Sequence, residues 1–293
     1  MFGKILKWAG IALLSLVILL AAGFGFISYK VGKRVNRTYS FSKRSIAIST
    51  DSATVARGKH LVMIKGCNDC HGDNLGGKIM INDFPMGKLS AANLTSGKGG
   101  LGPDYTVEDW ITALKHGIGT NGKPLLLMPS HESTQLTDQD IAAIIAYCRS
   151  VAPADNKLPP NHLGPLGKIL TNFNKIPLLS VEMIDHQKAA KVSNEMPQTL
   201  VETGMYLAVS CSGCHRSDFK GGPAFIPGGP PVPNITASGN PGKWTEDQFR
   251  MVLRTGKTPS GKQLKNEDMP WKMTAHYTDE EINALYQFLR SDL

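Results

Sequence analysis

Cys67-Asn68-Asp69-Cys70-His71 and Cys211-Ser212-Gly213-Cys214-His215 place two thiols and an imidazole at identical C-x-x-C-H spacing. Two sulfurs on one helical turn can reach the two vinyl groups of a haem, and the next residue's imidazole then lies under the iron. The spacing therefore reads as c-type haem attachment. A zinc site would need a second ligand pair beside the first, and the two motifs begin 144 residues apart. A dithiol redox pair would have no use for histidine at the fifth position of both motifs. Two covalently attached haem c groups are expected, one on Cys67, Cys70 and His71 and one on Cys211, Cys214 and His215.

The sixth ligand decides between electron transfer and ligand chemistry. Met128 lies 57 residues after His71, and Met269 lies 54 residues after His215. Each is followed by proline, whose fixed φ and missing N–H suit a non-helical ligand loop. A lone methionine is more often core filler, but two at matched places in two haem repeats are not lone, and Met128 and Met269 are expected to complete the iron coordination. Met86 falls opposite Pro227-Gly228-Gly229, which holds no methionine, and His116 opposite Thr255. His131 and His276, just after the methionines, are the reserve ligands. His60, His162 and His186 read as surface or structural. Cys148 aligns with Leu289 and reads as a small buried hydrophobe.

The elements that must hold these residues are written twice. Ala92-Asn93-Leu94-Thr95 recurs as Pro233-Asn234-Ile235-Thr236, and Leu136 to Ser150 aligns without a gap on Tyr277 to Ser291. The last helix of each copy opens on Thr137-x-x-Asp140 or Thr278-x-x-Glu281, a capping hydroxyl with an acid three residues on. Behind the cap, Ile141, Ile144, Ile145 and Cys148, and likewise Ile282, Leu285, Tyr286 and Leu289, share one helical face. Trp110 with Leu114, and Phe249 with Leu253, mark a middle helix. A first helix leads into each motif from about Val55 and Thr203. The Pro-rich connector between the copies carries apolar residues such as Leu166, Ile169, Leu170 and Leu179, which predict packing along the domains.

The N-terminal segment runs from Trp8 to Tyr29 without a charge, between Lys7 and Lys30. As a helix it would span about 33 Å, enough for a hydrocarbon core of roughly 30 Å. A cleaved signal peptide would have a shorter apolar run and a better cleavage site than Ala21-Ala22-Gly23. An uncleaved anchor is expected. Two bases precede the span and six follow closely, which by charge alone would keep the C-terminal part inside. Covalent haem attachment in bacteria occurs on the outer side of the cytoplasmic membrane, and that chemistry sets the expected orientation. The formal charge of +8 sits wholly in the first 50 residues, which hold eight bases and no acid. It fits anionic headgroups and excludes a nucleic-acid surface on the folded part.

These residues resemble class I cytochromes c, and more closely the cytochrome subunits of bacterial alcohol, aldehyde and gluconate dehydrogenases. The resemblance covers residues 54–293 and rests on the C-x-x-C-H motifs, the N-[LI]-T segments, the Met-Pro pairs, the capped last helices and the connector from Val151 to Pro160. It implies an all-α fold of two tandem cytochrome c domains (54–152 and 200–293) joined by a connector (153–199). A basic stalk (31–53) and one transmembrane helix (1–30) precede them. It also implies low-spin haems that relay electrons from a quinol or a donor dehydrogenase to an acceptor cytochrome or terminal oxidase, without substrate chemistry. The haem domains would stand on the periplasmic side of the cytoplasmic membrane, with the anchor and stalk as the parts in contact with its lipid. The dehydrogenase subunits usually hold three haems and touch the membrane at the C-terminus, so the particular partner is left open. The rival readings are a dihaem peroxidase, which needs unlike ligation at its two irons, and an integral haem subunit of a larger complex.

Overall fold

The capping signals of the sequence sit where the helices begin in the computed structural model, which describes residues 2–191, 195–224 and 229–291. A long apolar helix, α1 (Phe2–Val35), is followed by α2 (Ser52–Ile64), the short α3 (Cys67–His71), α4 (Val107–His116), α5 (Ser130–Ser133) and α6 (Asp138–Ser150). The connector contributes α7 (Pro165–Asn172) and α8 (His186–Ala190). The second half consists of α9 (Leu200–His215), α10 (Glu246–Thr255), α11 (Trp271–Thr274) and α12 (Asp279–Arg290). Thr137 and Thr278 accept from the backbone N–H of Asp140 and Glu281, and Thr106 and Thr245 close full capping boxes. The helices that enter the motifs start three residues earlier than the apolar pattern indicates, at caps supplied by Asp51 and Thr199.

In each half the first helix crosses the last: α2 packs on α6, and α9 on α12. Glycine makes both crossings possible. A Cβ on Gly58 would lie 1.9 Å from the Ala143 carbonyl oxygen, and one on Gly204 would lie 2.0 Å from that of Ala284. The expected apolar faces are inside, with Ile141, Ile145, Ile282, Leu285 and Leu289 all buried. Each such side chain contributes about 1.5–3 kcal/mol relative to exposure. Cys148 is buried among them, and burial pushes its thiol pKa up. The buried residues of both halves form one continuous core.

The halves meet through matched polar contacts. Tyr206 of α9 donates to Asp140 at the start of α6 (2.6 Å), and His60 of α2 bonds Glu281 at the start of α12 (2.8 Å). The buried Tyr277 hydroxyl reaches the Ile64 carbonyl at 3.3 Å. Thus the acids expected to serve their own helix N-termini also tie one half to the other.

The all-α expectation is corrected by a three-stranded antiparallel sheet. Strands β1 (Lys78–Asp83) and β2 (Gly87–Ala91) form a hairpin, and β3 (His162–Leu163) of the connector adds to its edge. Isoleucines at 79 and 81 favour extended backbone, and Gly87, at φ 106°, supplies the turn. The connector covers a definite face of the first half: Leu126 bridges Leu179, and Leu127 N–H donates to Leu178.

The basic stalk is also clasped to the first half. Arg34 pairs with Glu182, Arg44 with Asp138 and Lys43 with Asp109, so these three charges have protein partners. Phe41 stacks on His116, with centroids 4.3 Å apart, and packs against His186 at 4.4 Å. The His186 Nε2–H donates to the Val181 carbonyl, which leaves its Nδ1 to accept from His116 Nδ1–H at 2.9 Å. Burial, with His186, Lys115 and Arg44 adding to it, lowers the His116 pKa from 6.5 to about 4. The unfolded chain therefore takes up a proton that the folded chain refuses. The stability this gives is complete above pH 6.5 and is lost as pH falls towards 4. Thermal unfolding at neutral pH and near pH 4 should show that loss, and His116→Phe, which keeps the stack without the titration, should show less of it.

Candidate functional site

The Asn-x-Thr turns, seen in the sequence only as a repeat, orient the motif histidines. Asn93 Oδ1 accepts from the Thr95 N–H (2.9 Å) and hydroxyl (2.8 Å), and Asn234 does the same with Thr236 at 2.8 and 2.8 Å. Leu94 and Ile235 N–H then donate to Leu75 and Phe219, whose φ of 55° and 56° fold the chain after each motif in the same way. This fixes the carbonyls of Ala92 and Pro233, which accept from His71 Nδ1 (2.7 Å) and His215 Nδ1 (2.9 Å). With Nδ1 carrying the proton, Nε2 keeps its lone pair for a metal. Both rings are buried, and burial lowers their pKa despite the carbonyl bond, so they stay neutral as a ligand must.

The attachment turns differ locally. In the second half Cys211, Cys214 and His215 end the continuous α9, whereas in the first half Gly66, at φ 67°, breaks α2 from α3. Burial raises the Cys67 and Cys211 thiols to about 11, with Lys65 pulling both back. Among the described residues no group of three or more His, Cys, Asp or Glu side chains could hold a metal ion.

Around the second turn opens a cavity of about 1010 Å³ lined by Cys211, Cys214, His215 and Met269, with apolar walls from Ile235, Trp244, Phe249, Leu253 and Leu285. This is at the upper end of ordinary cofactor pockets, roughly 300–1,000 Å³. Thiols, a neutral imidazole and a thioether sharing an apolar cavity of this size fit a covalently held haem. Met128 is half-buried against the core, as is Met269. Its loop is held from three sides: Ser180 of the connector donates to the Met128 carbonyl (2.6 Å), Ser130 donates to Ala113 (2.8 Å), and Leu127 is forced to φ 70°. A non-glycine residue in that region marks a position over-determined by its surroundings. Lys115 and Arg254, at matched places in α4 and α10, donate to carbonyls of the following loop, Thr134 and Leu136 in one half and Ala275 in the other.

His276 is exposed, His131 bonds Ser180 Oγ at 3.1 Å, and His116 is held by His186. Met86 is at the hairpin end next to α7, while Pro227 and Gly228, to which it was compared, lie outside the described residues. His60 and His186 have structural partners, and His162 is exposed on β3.

Each methionine loop also touches the attachment turn of the other half. A Cβ on Gly213 would lie 2.2 Å from Glu132 Oε1, and one on Gly66 would lie 2.9 Å from Met273 Sδ. Glu132 and Met273 occupy equivalent positions after Met128 and Met269, and Met273 lines the second cavity as well. Burial raises the Glu132 carboxyl to about 7, against the pull of Lys65. Neither contact is visible in the periodicity of the sequence.

Both halves present a C-x-x-C-H turn whose histidine is locked by a backbone carbonyl, in the second half beneath an apolar cavity, the arrangement of a class I cytochrome c. Residues 53–148 match the family model described as cytochrome c oxidase, cbb3-type, subunit III, and residues 201–292 match cytochrome c. The matches place cytochrome c domains in this chain, and it resembles the cytochrome subunits of dehydrogenases. It is 27% identical over 277 residues to the cytochrome c subunit of alcohol dehydrogenase (quinone) from Gluconacetobacter polyoxogenes, covering 82% of this chain and 56% of the relative. It is 28% identical over 272 residues to the fructose dehydrogenase cytochrome subunit of Gluconobacter japonicus, covering 83% and 53%. With the gluconate 2-dehydrogenase cytochrome c subunit of Pantoea cypripedii it shares 27% over 275 residues, covering 82% and 60%. The chain spans little more than half the length of these relatives.

Proposed function

We propose that this chain is a membrane-anchored dihaem c-type cytochrome. It takes electrons from a quinol or a partner dehydrogenase and passes them to an acceptor such as a cytochrome or terminal oxidase. Its haem domains, 54–152 and 200–293, stand on the periplasmic side, linked by the connector 153–199 and held by the anchor 1–30 through the stalk 31–53. The observation that carries this reading is the duplicated histidine lock, His71 on Ala92 and His215 on Pro233, each beneath its own pair of cysteines.

A bound haem supplies a one-electron couple between ferric and ferrous iron. The chain's residues make that couple fast. Cys67, Cys70, Cys211 and Cys214 would hold the macrocycle covalently, and the carbonyl-bound histidines with the methionine loops, that of Met128 braced by Ser180 and Ser130, would hold the iron, so that little would rearrange on reduction. Thioether ligation by Met128 and Met269 favours the ferrous state. The contacts Glu132–Gly213 and Met273–Gly66 bring each loop to the other attachment turn, which shortens the route for an electron between the halves. Helix α1 is long and apolar enough to cross a membrane.

Mass spectrometry of the mature holoprotein tests the reading. It is expected to show the polypeptide plus two porphyrins, with α1 retained. A single added porphyrin would reduce the chain to a monohaem carrier, and none would remove the electron-transfer role. The names of the relatives favour a second form of the same reading, a haem subunit within a dehydrogenase complex. Gentle solubilisation followed by identification of co-purifying chains separates the two. Ligation alike at both irons argues against a peroxidase, which would reveal itself as a high-spin haem in the oxidised spectrum.

A further inference from the structure

We propose that α7 and the tip of the β1–β2 hairpin lie in the membrane interface beside α1, so that the first half rests on the bilayer at a fixed tilt. The inference rests on the reading of α1 as a membrane-spanning anchor and adds a second lipid contact to it.

The first argument is one of length. Residues from Trp8 to Gly23 of α1 are exposed, whereas Phe24, Ile27, Ser28 and Val31 turn one face to the protein. The exposed run without a charge is 16 residues, preceded by the exposed Lys4 and Lys7, and gives about 24 Å of helix, short of a hydrocarbon core of about 30 Å. Phe24 to Ile27 must therefore enter the bilayer to complete the span, and helix tilt only increases the need. What packs on these residues is drawn to the interface with them, and that is α7: Lys168 Nζ lies 5.9 Å from the centre of the Phe24 ring. Nearly three turns further along α1, Arg34 donates to the Thr171 carbonyl at 2.7 Å and to Asn174 at 2.8 Å, so the two helices are fastened at two points.

The second argument is the surface that this places at the interface. Gly167 and Thr171 of α7 are buried, while Leu166 and Phe173 on the opposite face are 42% and 59% exposed. The Pro85 carbonyl caps α7 by accepting from Leu166 N–H (2.8 Å) and Gly167 N–H (3.2 Å). This sets the hairpin tip beside the helix and leaves its Phe84 84% exposed. Lys30 and Lys33 of α1 rise from the same level, as interfacial bases do. Apolar side chains projecting from a short amphipathic helix next to a span, with bases at their rim, match the chemistry of the headgroup and acyl boundary.

The test uses the full-length holoprotein in vesicles of phosphatidylcholine and phosphatidylglycerol, with the haems reduced and diamagnetic. Single nitroxide labels are placed by Leu14→Cys, Phe84→Cys, Phe173→Cys and Asp247→Cys, Cys148 being buried and the other cysteines consumed by haem. The readout is the accessibility of each label to oxygen relative to a water-soluble nickel reagent. Labels at 84 and 173 should show a ratio several-fold above that at 247, approaching that at 14. A deep label at 14 with water-like labels at 84 and 173 overturns the docking while the anchor stands. A water-like label at 14 removes the anchor reading itself. Labels at 84 and 173 shielded from both reagents would assign the patch to a protein partner, and the proposal would fall.

Discussion

Replacing Met269 by alanine is expected to lower the midpoint potential of one haem by on the order of 0.1 V or more while leaving the other unmoved. Met128→Ala should do the same to the other haem. The direction follows from chemistry: a thioether stabilises ferrous iron, and water or a hydroxide in its place stabilises ferric. The separation into two single-haem effects follows from structure. Met269 lines the cavity of Cys211, Cys214 and His215, while the Met128 carbonyl is held by Ser180 of the connector, against the first half. Spectroelectrochemical titration should resolve two steps in the parent protein and one displaced step in each variant. Loss of about half of the weak long-wavelength methionine-to-iron band should accompany it. An unchanged band in Met128→Ala would transfer the role to another residue, with His131 the next to replace. Ser180→Ala offers a gentler form of the same experiment. It frees the Met128 carbonyl without touching the sulfur, and should broaden or shift the first step alone.

The second large effect is on folding. Gly58→Ala and Gly204→Ala should each destabilise the holoprotein by about 3 kcal/mol, near the upper end of what overpacking costs, a fall of roughly 10 °C in melting temperature. Alanine gains up to about 1 kcal/mol over glycine in a helix interior, so propensity alone predicts the opposite sign. The geometry decides against it. The added carbon would meet backbone oxygen at 1.9 Å in one crossing and 2.0 Å in the other, with Tyr147 and Phe288 Cβ also within 2.8 and 2.5 Å. Backbone atoms of a packed helix cannot step aside as the end of a flexible side chain can. Circular dichroism and haem absorbance should melt together, because each crossing forms the floor under its motif. An unchanged or raised melting temperature would mean that the helices separate at little cost, and the account of the crossing would be wrong. Valine at either position should prevent folding of that half.

Much of the site was legible before any coordinates. The two C-x-x-C-H motifs carry their chemistry in their spacing, because the thiols and the imidazole lie on a single turn and need no distant partner to be recognised. The helix caps at Thr137 and Thr278 were legible for the same reason: a cap is settled within four residues. The face of α6 from Ile141 to Cys148 and that of α12 from Ile282 to Leu289 went inside as their period required. The hairpin of residues 78–91 was missed, since six residues with two isoleucines carry too short an alternation to stand out in a helical protein. The starts of α2 and α9 were placed three residues late, because Asp51 and Thr199 precede the first apolar residue.

What tertiary structure alone decided are the relations between segments far apart in the chain. Asn93 and Asn234 could be matched as a repeat, but that they orient His71 and His215 through the carbonyls of Ala92 and Pro233 depends on a fold-back of some twenty residues. Gly58 and Gly204 are unremarkable in sequence, since the requirement for them comes from helices about 80 residues away. The meeting of Glu132 with Gly213, of His60 with Glu281 and of α7 with α1 likewise has no local signature. A covalent or helical constraint acts between neighbours and is written in their spacing. A packing constraint acts between surfaces, and it becomes readable only when the chain has brought those surfaces together.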